Sequence, residues 1–600
     1  MLQRSLPDFL ATLRRERDVV EIGAPVDAHL ELPEIHRRVI AAGGPALVFR
    51  NVVGAAFPVA TNLFGSKRRV ELAFGPRPGR FLRELVHLAQ DIVPPTLGKL
   101  WSARGLLGEA LHVGLARRRT APILFQRVSP PALDRLPLTT SWPEDGGAFI
   151  TLPLVYTENP ENGKHNLGMY RMQRHSDRAT GMHWQIGKGG GFHHHAAERL
   201  GRALPVTVFV GGPPALILSA IAPLPEEVPE LLLASLLLGE RLPLVASPDG
   251  GHALVAEAEF ALCGEVPPGV RRAEGPFGDH YGYYSLQHDY PVFDVHTLWH
   301  RRDAIFPATV VGKPRQEDFF LGDYLQELLS PLFPLVMPAV RDLWSYGETG
   351  YHSLAAAVVR ERYGREAMAS AFRILGEGQL SLTKFLILMD RPRDLKDFRG
   401  VLEHVLARVD WSRDLYVFGH LSMDTLDYSG PEVNRGSKGV LLGLGEPRRE
   451  LPRAWQGALP AGVRAAVPFV PGCLVVSGAG FREDEGLAAR LPRDPAFAAW
   501  PLIVLVDDAA EATRSTARFL WTTFTRFEPA GDIHAAATRV ERHHLAYEGP
   551  VLIDARLKTW FPRELFCDPD TAARVTRRWR EYFPGGGVEM GSSDAGHLDR

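Results

Sequence analysis

Cysteine is scarce in this chain of 600 residues: only Cys263, Cys473 and Cys567 occur, widely separated. Three such residues cannot build a disulfide framework, and a reducing, cytoplasmic setting is expected. Long apolar runs are lacking too. The most conspicuous, "LLLASLLL" at Leu231–Leu238, falls well short of the roughly 20 residues a membrane helix needs, so no integral membrane segment is expected. The N-terminal "MLQRSLPDFLATLRRERDVVEI" has neither a long apolar core nor a small-residue cleavage site, and reads as an amphipathic helix rather than a signal peptide. Neither sign of charge dominates. With 68 Lys and Arg against 70 Asp and Glu, the net charge is −2, which argues against a general nucleic-acid or membrane-surface binder.

What is present is an ordinary globular composition, 45% hydrophobic and 23% charged. The length exceeds one hydrophobic core and implies several domains. Residues 1–121 read as mixed α/β, with a strand at "ALVFRNV". A Pro-rich passage, "SPPALDRLPL", marks a boundary. From 122 to 315 strand signals dominate: "AFITLPLVYT", "LPVTVFVGG" and "HALVAEAEFALCGEV" are β-branched or alternating, with Gly and Pro between them. A helical, Pro-interrupted connector spans 316–345. Residues 346–585 return to α/β. Here "KFLILMD", an amphipathic helix with Phe398, Val401, Leu402, Val405, Leu406 and Val409 on one face, and "DLYVFGH" form a strand–helix–strand unit. "LIVLVDD", "STARFLWTTFTRF" and "DIHAAAT" share its outline and suggest a weak internal duplication. Residues 586–600 read as a disordered tail.

Several segments carry chemistry. In "NLGMYRMQ", Arg171 can clamp a carboxylate through two parallel hydrogen bonds, although an arginine taken alone is more often a surface or salt-bridge residue. In "AEGPFGDHYGYY", a Gly-Pro-Phe-Gly bend separates Glu274 from Asp279 and lets both acids approach one site. Two acids with one arginine can divide roles, one held ionised and the other raised toward a working pKa; the alternative is a turn with solvated acids. "GGPPALILSAIAPLPEEVPE" offers small residues at a strand-to-helix turn, where backbone N–H groups suit phosphate. "VNRGSKGV" places Lys438 in a Gly-Ser-Lys-Gly turn without Walker spacing. "HWQIGKGGGFHHH" puts four histidines around a glycine run and one lysine, Lys188.

Taken in order, "ENPENGKHNLGMYRMQ", "LPVTVFVGGPPALILSAIAPLPEEVPE", "EGPFGDHYGYY", "GEGQLSLTKFLI" and "DTLDYSGPEVNRGSKG" resemble the UbiD family of reversible decarboxylases, which use prenylated FMN. The length and the extra C-terminal unit look most like a long subgroup linked to menaquinone biosynthesis, whose members act on a hydroxynaphthoic acid. The resemblance implies an α/β (α+β) fold: an N-terminal α/β segment, a central β-rich split-barrel flavin-binding domain, and a C-terminal α/β domain that closes the active site and joins the chain into a homodimer or homohexamer. It implies non-oxidative decarboxylation of an aromatic or α,β-unsaturated acid, releasing CO2, through a prenylated-FMN adduct. A flavin prenyltransferase would supply the cofactor.

By the same resemblance, the catalytic residues match Arg171, Glu274 and Asp279. Cofactor contacts match Asn166, Met169, Arg171, Lys188, Pro223, Glu230 and Lys438. A divalent ion, Mn²⁺, is implied at Asn166 and Glu230, with K⁺ as an optional companion. The family's metal-binding histidine falls at Gly187, so this chain departs from the pattern. His193, or else His194 or His195, is a substitute ligand in one reading; in a second, Lys188 partly neutralises the phosphate without a divalent metal; in a third the metal site is degraded. The departure also keeps open a flavin-binding or non-catalytic subunit of a carboxylase complex.

Overall fold

A computed structural model describes residues 2–91, 104–105, 108, 111–184, 189–224, 229–592 and 598. The chain divides into two units, Met1–Leu328 with Glu564–His597, and Leu329–Arg563 with Leu598–Arg600.

In the first unit, Val19–Ile22, Ala46–Phe49 and Val59–Thr61 form a four-stranded sheet with the distant Phe306–Pro307. Phe49, Val59 and Phe306 bury into one core. The N-terminal segment and the middle block therefore share a sheet and a core within the first unit. Helix α1 (Glu31–Ala41) covers this region and is buried along its whole length.

The central sheet is antiparallel throughout. Its strands are β1 (Gln126–Val128), β2 (Pro153–Glu158), β3 (His165–Met169), β4 (Ala179–Gly181), β5 (Leu204–Val210), β6 (Phe260–Val266), β7 (Arg271–Glu274) and β8 (His288–His300). The order is β4-β8-β6-β5-β2-β3, with β7 and β1 also paired to β8. Among the described residues β4 and β3 are not paired to each other, so the barrel stays open. The period of two is plain in β5, where Leu204, Val206, Val208 and Val210 share one core. The glycine–histidine run forms helix α2 (Gly189–Arg199). Helices α3 (Pro214–Ile221) and α4 (Glu230–Leu238) follow β5.

The second unit holds two five-stranded sheets. The first contains β9 (Val340–Ser345), β10 (Leu354–Val359), β11 (Phe385–Met389), β12 (Leu415–Ser422) and β13 (Arg435–Gly443), in the order β9-β10-β11-β13-β12. The second contains β14 (Val463–Val470), β15 (Cys473–Gly478), β16 (Leu502–Val506), β17 (Ile533–Glu541) and β18 (His544–Asp554), in the order β14-β15-β16-β18-β17. Both run antiparallel, parallel, parallel, antiparallel across their four pairings. Topology thus repeats in full, and the two outlines read from sequence occupy equivalent places. Each sheet splits its apolar residues by the period of two. Leu354, Ala356, Val358, Phe385 and Ile387 share a core with Cys473, Val475, Leu502 and Val504. Helices α6 (Phe398–Leu406) and α7 (Thr516–Arg526) fill that core, and all six apolar residues predicted on the face of α6 lie in it. The outer face of the first sheet packs on helix α5 (Glu366–Leu375) through Ala367, Met368, Ala371 and Ile374. The predicted connector ends before 345, because β9 already pairs with β10.

The chain then returns to the first unit. Helix α8 (Pro569–Tyr582) is capped by Asp568, which accepts from Thr571 N–H at 2.8 Å. It docks on α1: Tyr582 OH donates to Glu31 Oε1 at 2.6 Å, and Arg38 Nη2 donates to Ala572 O at 3.0 Å. The stretch read as a disordered tail from residue 586 is held on α1 at Gly591, whose N–H donates to Arg38 O at 3.1 Å. Composition alone concealed this, since its partners lie more than 500 residues upstream.

Candidate active site

Arg171 lies two residues beyond the end of β3, and β7 ends at Glu274. The bend after β7 carries Asp279. The structure brings all three together. Arg171 Nε donates to Glu274 Oε1 at 3.0 Å, Nη1 donates to Asp279 Oδ2, and Nη2 donates to Ser285 Oγ at 3.0 Å. The guanidinium carbon sits 4.6 Å over the Phe277 ring. Side-chain exposure is 9% for Arg171, 0% for Glu274 and 10% for Asp279, so each charge depends on its partners rather than on water.

Asp145 and Gln173 hold the bend. Asp145 Oδ1 accepts from Gly278 N–H at 2.8 Å, while its Oδ2 accepts from Ser141 and Trp142 N–H at 2.8 and 2.9 Å. Burial pushes the Asp145 carboxyl up to about 6, against those three donors. Gln173 Oε1 accepts from Gly275 N–H at 2.8 Å, and its Nε2 donates to Gly146 O at 2.6 Å. Gly275 has φ +94°, which glycine adopts without strain. Gly278 lies so close to Trp142 that a Cβ there would come within 2.0 Å of the indole.

Burial alone would raise both acids of the site. For Glu274, the Arg171 charge and the hydrogen bonds from His183 and Arg171 outweigh burial and leave it below the usual glutamate range. For Asp279, the Arg171 charge and His280 outweigh burial and carry it down to about 2. Burial lowers Arg171, but its two carboxylates more than restore it, and it stays charged. His183 Nδ1 lies 2.6 Å from Glu274 Oε2. Burial and the Arg171 charge hold this ring below the ordinary histidine value, so it is neutral at pH 7 and Nδ1–H donates to the ionised carboxylate.

A second cluster joins β3 to α4. Asn166 Nδ2 donates to Glu230 Oε1 at 2.8 Å, and Leu167 N–H donates to Glu230 Oε2 at 3.1 Å. Glu230 is the first residue of α4. Burial raises its carboxyl despite these donors. Tyr170 OH donates to Asn166 Oδ1 at 3.2 Å. Asn166 thus meets Glu230 through its Nδ2, and each side chain also carries an oxygen of the kind a hard divalent ion takes as a ligand. Among the described residues no group of three or more His, Cys, Asp or Glu is placed to hold a metal. Gly187 and Lys188 lie outside the described residues. His193 hydrogen-bonds through Nδ1 to Thr157 Oγ1 at 2.9 Å, and Thr157 pairs across the strands with Asn166. Burial takes this ring down to about 4.

Met169 ends β3 opposite Leu154. Pro223 is exposed just beyond α3. Lys438 belongs to the second unit, where its ammonium donates to Thr383 O at 2.8 Å and burial draws it down to about 8. Sequence reasoning did not assign roles to His183, Ser285, Phe277, Asp145 or Gln173. A histidine in "GMHW" carried a visible signal, but its partner lies 91 residues away.

Family models match three segments: the 3-octaprenyl-4-hydroxybenzoate carboxy-lyase N-terminal domain at residues 10–89, the Rift-related domain at 115–314 and the C-terminal domain at 319–443. Together they cover more than half of the chain. The chain belongs to the UbiD family. UbiD relatives span nearly its full length. A Chlamydia trachomatis protein is 51% identical over 583 residues, 97% of this chain and 99% of its own. A Chlamydia pneumoniae protein, named as a subunit of 4-hydroxybenzoate decarboxylase, is 51% identical over 575 residues, 96% and 98% of the two chains. Two solved structures share the UbiD fold. Vanillic acid decarboxylase of Sedimentibacter hydroxybenzoicus, closed form, has TM-score 0.67 and 23% identity, over 77% of this chain and 96% of that one. The UbiD-class enzyme HmfF of Pelotomaculum thermopropionicum, in complex with prenylated FMN, has TM-score 0.61 and 23% identity, over 76% and 97%. The duplicated sheet β14–β18 lies beyond the UbiD family matches, which end at residue 443.

Proposed function

We propose that the chain catalyses non-oxidative decarboxylation of an aromatic carboxylic acid with prenylated FMN as cofactor. The observation that carries this is Arg171 held between Glu274 and Asp279 in a nearly water-free site. The donor set fits an anionic flavin. Asn166 and Glu230 would hold a divalent ion such as Mn²⁺ beside its phosphate, Lys188 would add a positive charge there, and Met169, Arg171 and Pro223 would line the site. When bound, the cofactor supplies an electron sink for the pair left behind as CO2 departs.

The residues themselves bind, orient and move a proton. The substrate carboxylate competes with Glu274 for Arg171. Two negative charges beside one cation raise the proton affinity of the weaker partner, so Glu274 takes up a proton as the acid binds. Asp279, far more acidic, stays ionised and holds the guanidinium in place. Once CO2 has left, protonated Glu274 delivers its proton to the substrate carbon. General acid catalysis of this kind contributes about 10²–10⁴-fold.

The aromatic substrate class follows the names of the relatives. A hydroxynaphthoate is the finer choice that the sequence motifs suggest. The experiment is co-expression with a flavin prenyltransferase, then assay of CO2 release from 4-hydroxybenzoate, 3,4-dihydroxybenzoate, vanillate and a hydroxynaphthoate. Metal and flavin content are measured on the same sample. CO2 release with flavin near one per chain supports the reading, and a flavin-loaded chain inert on every acid contradicts it. A colourless, flavin-free sample would favour a non-catalytic role within a larger complex, the reading that the glycine at position 187 keeps open.

A further inference from the structure

The second unit carries a hollow of about 560 Å³ that the proposed chemistry does not use. One wall comes from around the first sheet: Arg365, the residue before α5, Arg413, and Tyr416 of β12. The other comes from the hairpin of β17 and β18: Glu541, Arg542 and His544. Strands β12 and β17 are each outermost in their own sheet. The second wall lies beyond residue 443, where the UbiD family matches end. The hollow is therefore a product of the duplicated sheet.

Three guanidiniums line it against one carboxylate. Arg365 Nη1 donates to Asp414 Oδ1 at 2.7 Å, and Arg413 donates from Nε and Nη2 to Asp410 Oδ2 at 3.1 and 2.9 Å. These acids orient two arginines and leave N–H donors on each unused. Glu541 is taken by Arg539 at 2.9 Å. The side chain of Arg542 has no ion-pair or hydrogen-bond partner among the described residues. Its backbone is also telling. Arg542 and His543 form the hairpin turn at φ +50° and +66°, a conformation that Asn and Gly adopt at least cost. A long cation held there against its preference points to a use for its charge.

Guanidiniums recognise carboxylate and phosphate. A carboxylate offers two oxygens in one plane. A phosphomonoester offers three in three directions, which suits arginines that come from three separate segments. Tyr416 adds a flat surface: its ring lies 4.8 Å from that of His544 and 6.5 Å from that of Phe418, parallel to the latter within 10°. The volume falls in the range of small-molecule sites, about 300–1,000 Å³. We infer that this hollow binds a phosphomonoester carried on an aromatic ring system, as in a nucleoside monophosphate. Arg365, Arg413 and Arg542 take the phosphate, and the ring stacks on Tyr416. None of these residues belongs to the Arg171 cluster, so the inference does not depend on the decarboxylase reading.

The test is isothermal titration calorimetry on the full chain, without flavin or added metal. AMP, GMP and UMP are titrated beside inorganic phosphate and adenosine. At least one nucleotide should bind saturably, and more tightly than phosphate or adenosine, because both halves of the ligand are held. Added salt should weaken binding, since the Arg365 and Arg413 side chains are 42% and 60% exposed. Arg542→Gly relieves the positive φ, so its melting temperature should hold or rise, while nucleotide affinity falls about tenfold or more. A weaker binder that melts no lower has not lost its fold. Arg413→Gln is a second variant and should show the same loss. Tyr416→Leu should bring the nucleotide down to the affinity of inorganic phosphate. Three nucleotides that all fail to bind overturn the inference. So does phosphate that binds as tightly as every nucleotide, or nucleotide affinity that is undiminished in Arg542→Gly or Arg413→Gln.

Discussion

Arg171 faces two carboxylates, so the cluster carries a net negative charge when His183 is neutral. That imbalance is what makes the site responsive: an incoming anion adds a third claim on one guanidinium, and the weaker acid yields. Asp279 does not yield, because its carboxyl is held near 2 against an ordinary value of about 3.9. A carboxyl depressed on folding stabilises the fold above its unfolded pKa and loses that contribution as pH falls through its folded pKa. Wild type should therefore melt above Asp279→Asn at pH 5 to 7, with the gap closing between about pH 4 and pH 2. Thermal melts of both proteins across that range measure it, and a gap that persists unchanged at pH 2 contradicts the assignment. Arg171→Lys replaces a fork that serves three partners with a point charge. It should lower kcat by at least about tenfold even though the charge is kept.

The bend that presents Asp279 is a matter of close fit. Trp142 is 2% exposed, and its Nε1 donates to Val311 O at 2.9 Å, so it has little freedom to move from Gly278. Gly278→Ala overpacks this contact and should cost about 1–3 kcal/mol, with a lower melting temperature and reduced kcat. Gly23→Ala, where a Cβ would meet nothing within 4 Å, is the control and should change neither. Some of this architecture was legible in sequence. "KFLILMD" and "LIVLVDD" are short apolar runs that became the buried strands β11 and β16, and the face of α6 was readable from its spacing. Arg171, Glu274 and Asp279 were legible because their motifs are specific. The contact of His183 with Glu274 was not, since it depends on β4 and β7 both pairing with β8. Nor was the return of α8 to α1, because both helices read as ordinary amphipathic segments whose partner is set by the fold.

Across the whole molecule, the second unit repeats one topology twice and buries the facing sides in a shared core. Phe398 of the first copy contacts Phe519 and Phe524 of the second, with ring centroids 6.1 and 5.9 Å apart. Neither copy covers that face alone. A fragment of residues 329–563 should be soluble and cooperatively folded, whereas residues 329–445 alone should aggregate, as an uncovered apolar face of this size predicts. Circular dichroism melts and sedimentation of the two fragments decide it, and a stable, monomeric shorter fragment would refute the shared core. Within that core, Leu402→Ala removes a side chain 3% exposed and should destabilise by about 2–5 kcal/mol.

The most direct test of the whole account compares wild type with Glu274→Gln, both produced with the flavin prenyltransferase and matched for flavin per chain. The account predicts CO2 release by the wild type and a loss of about 10²-fold or more in the variant, with flavin content unchanged. Equal rates in the two proteins would contradict it.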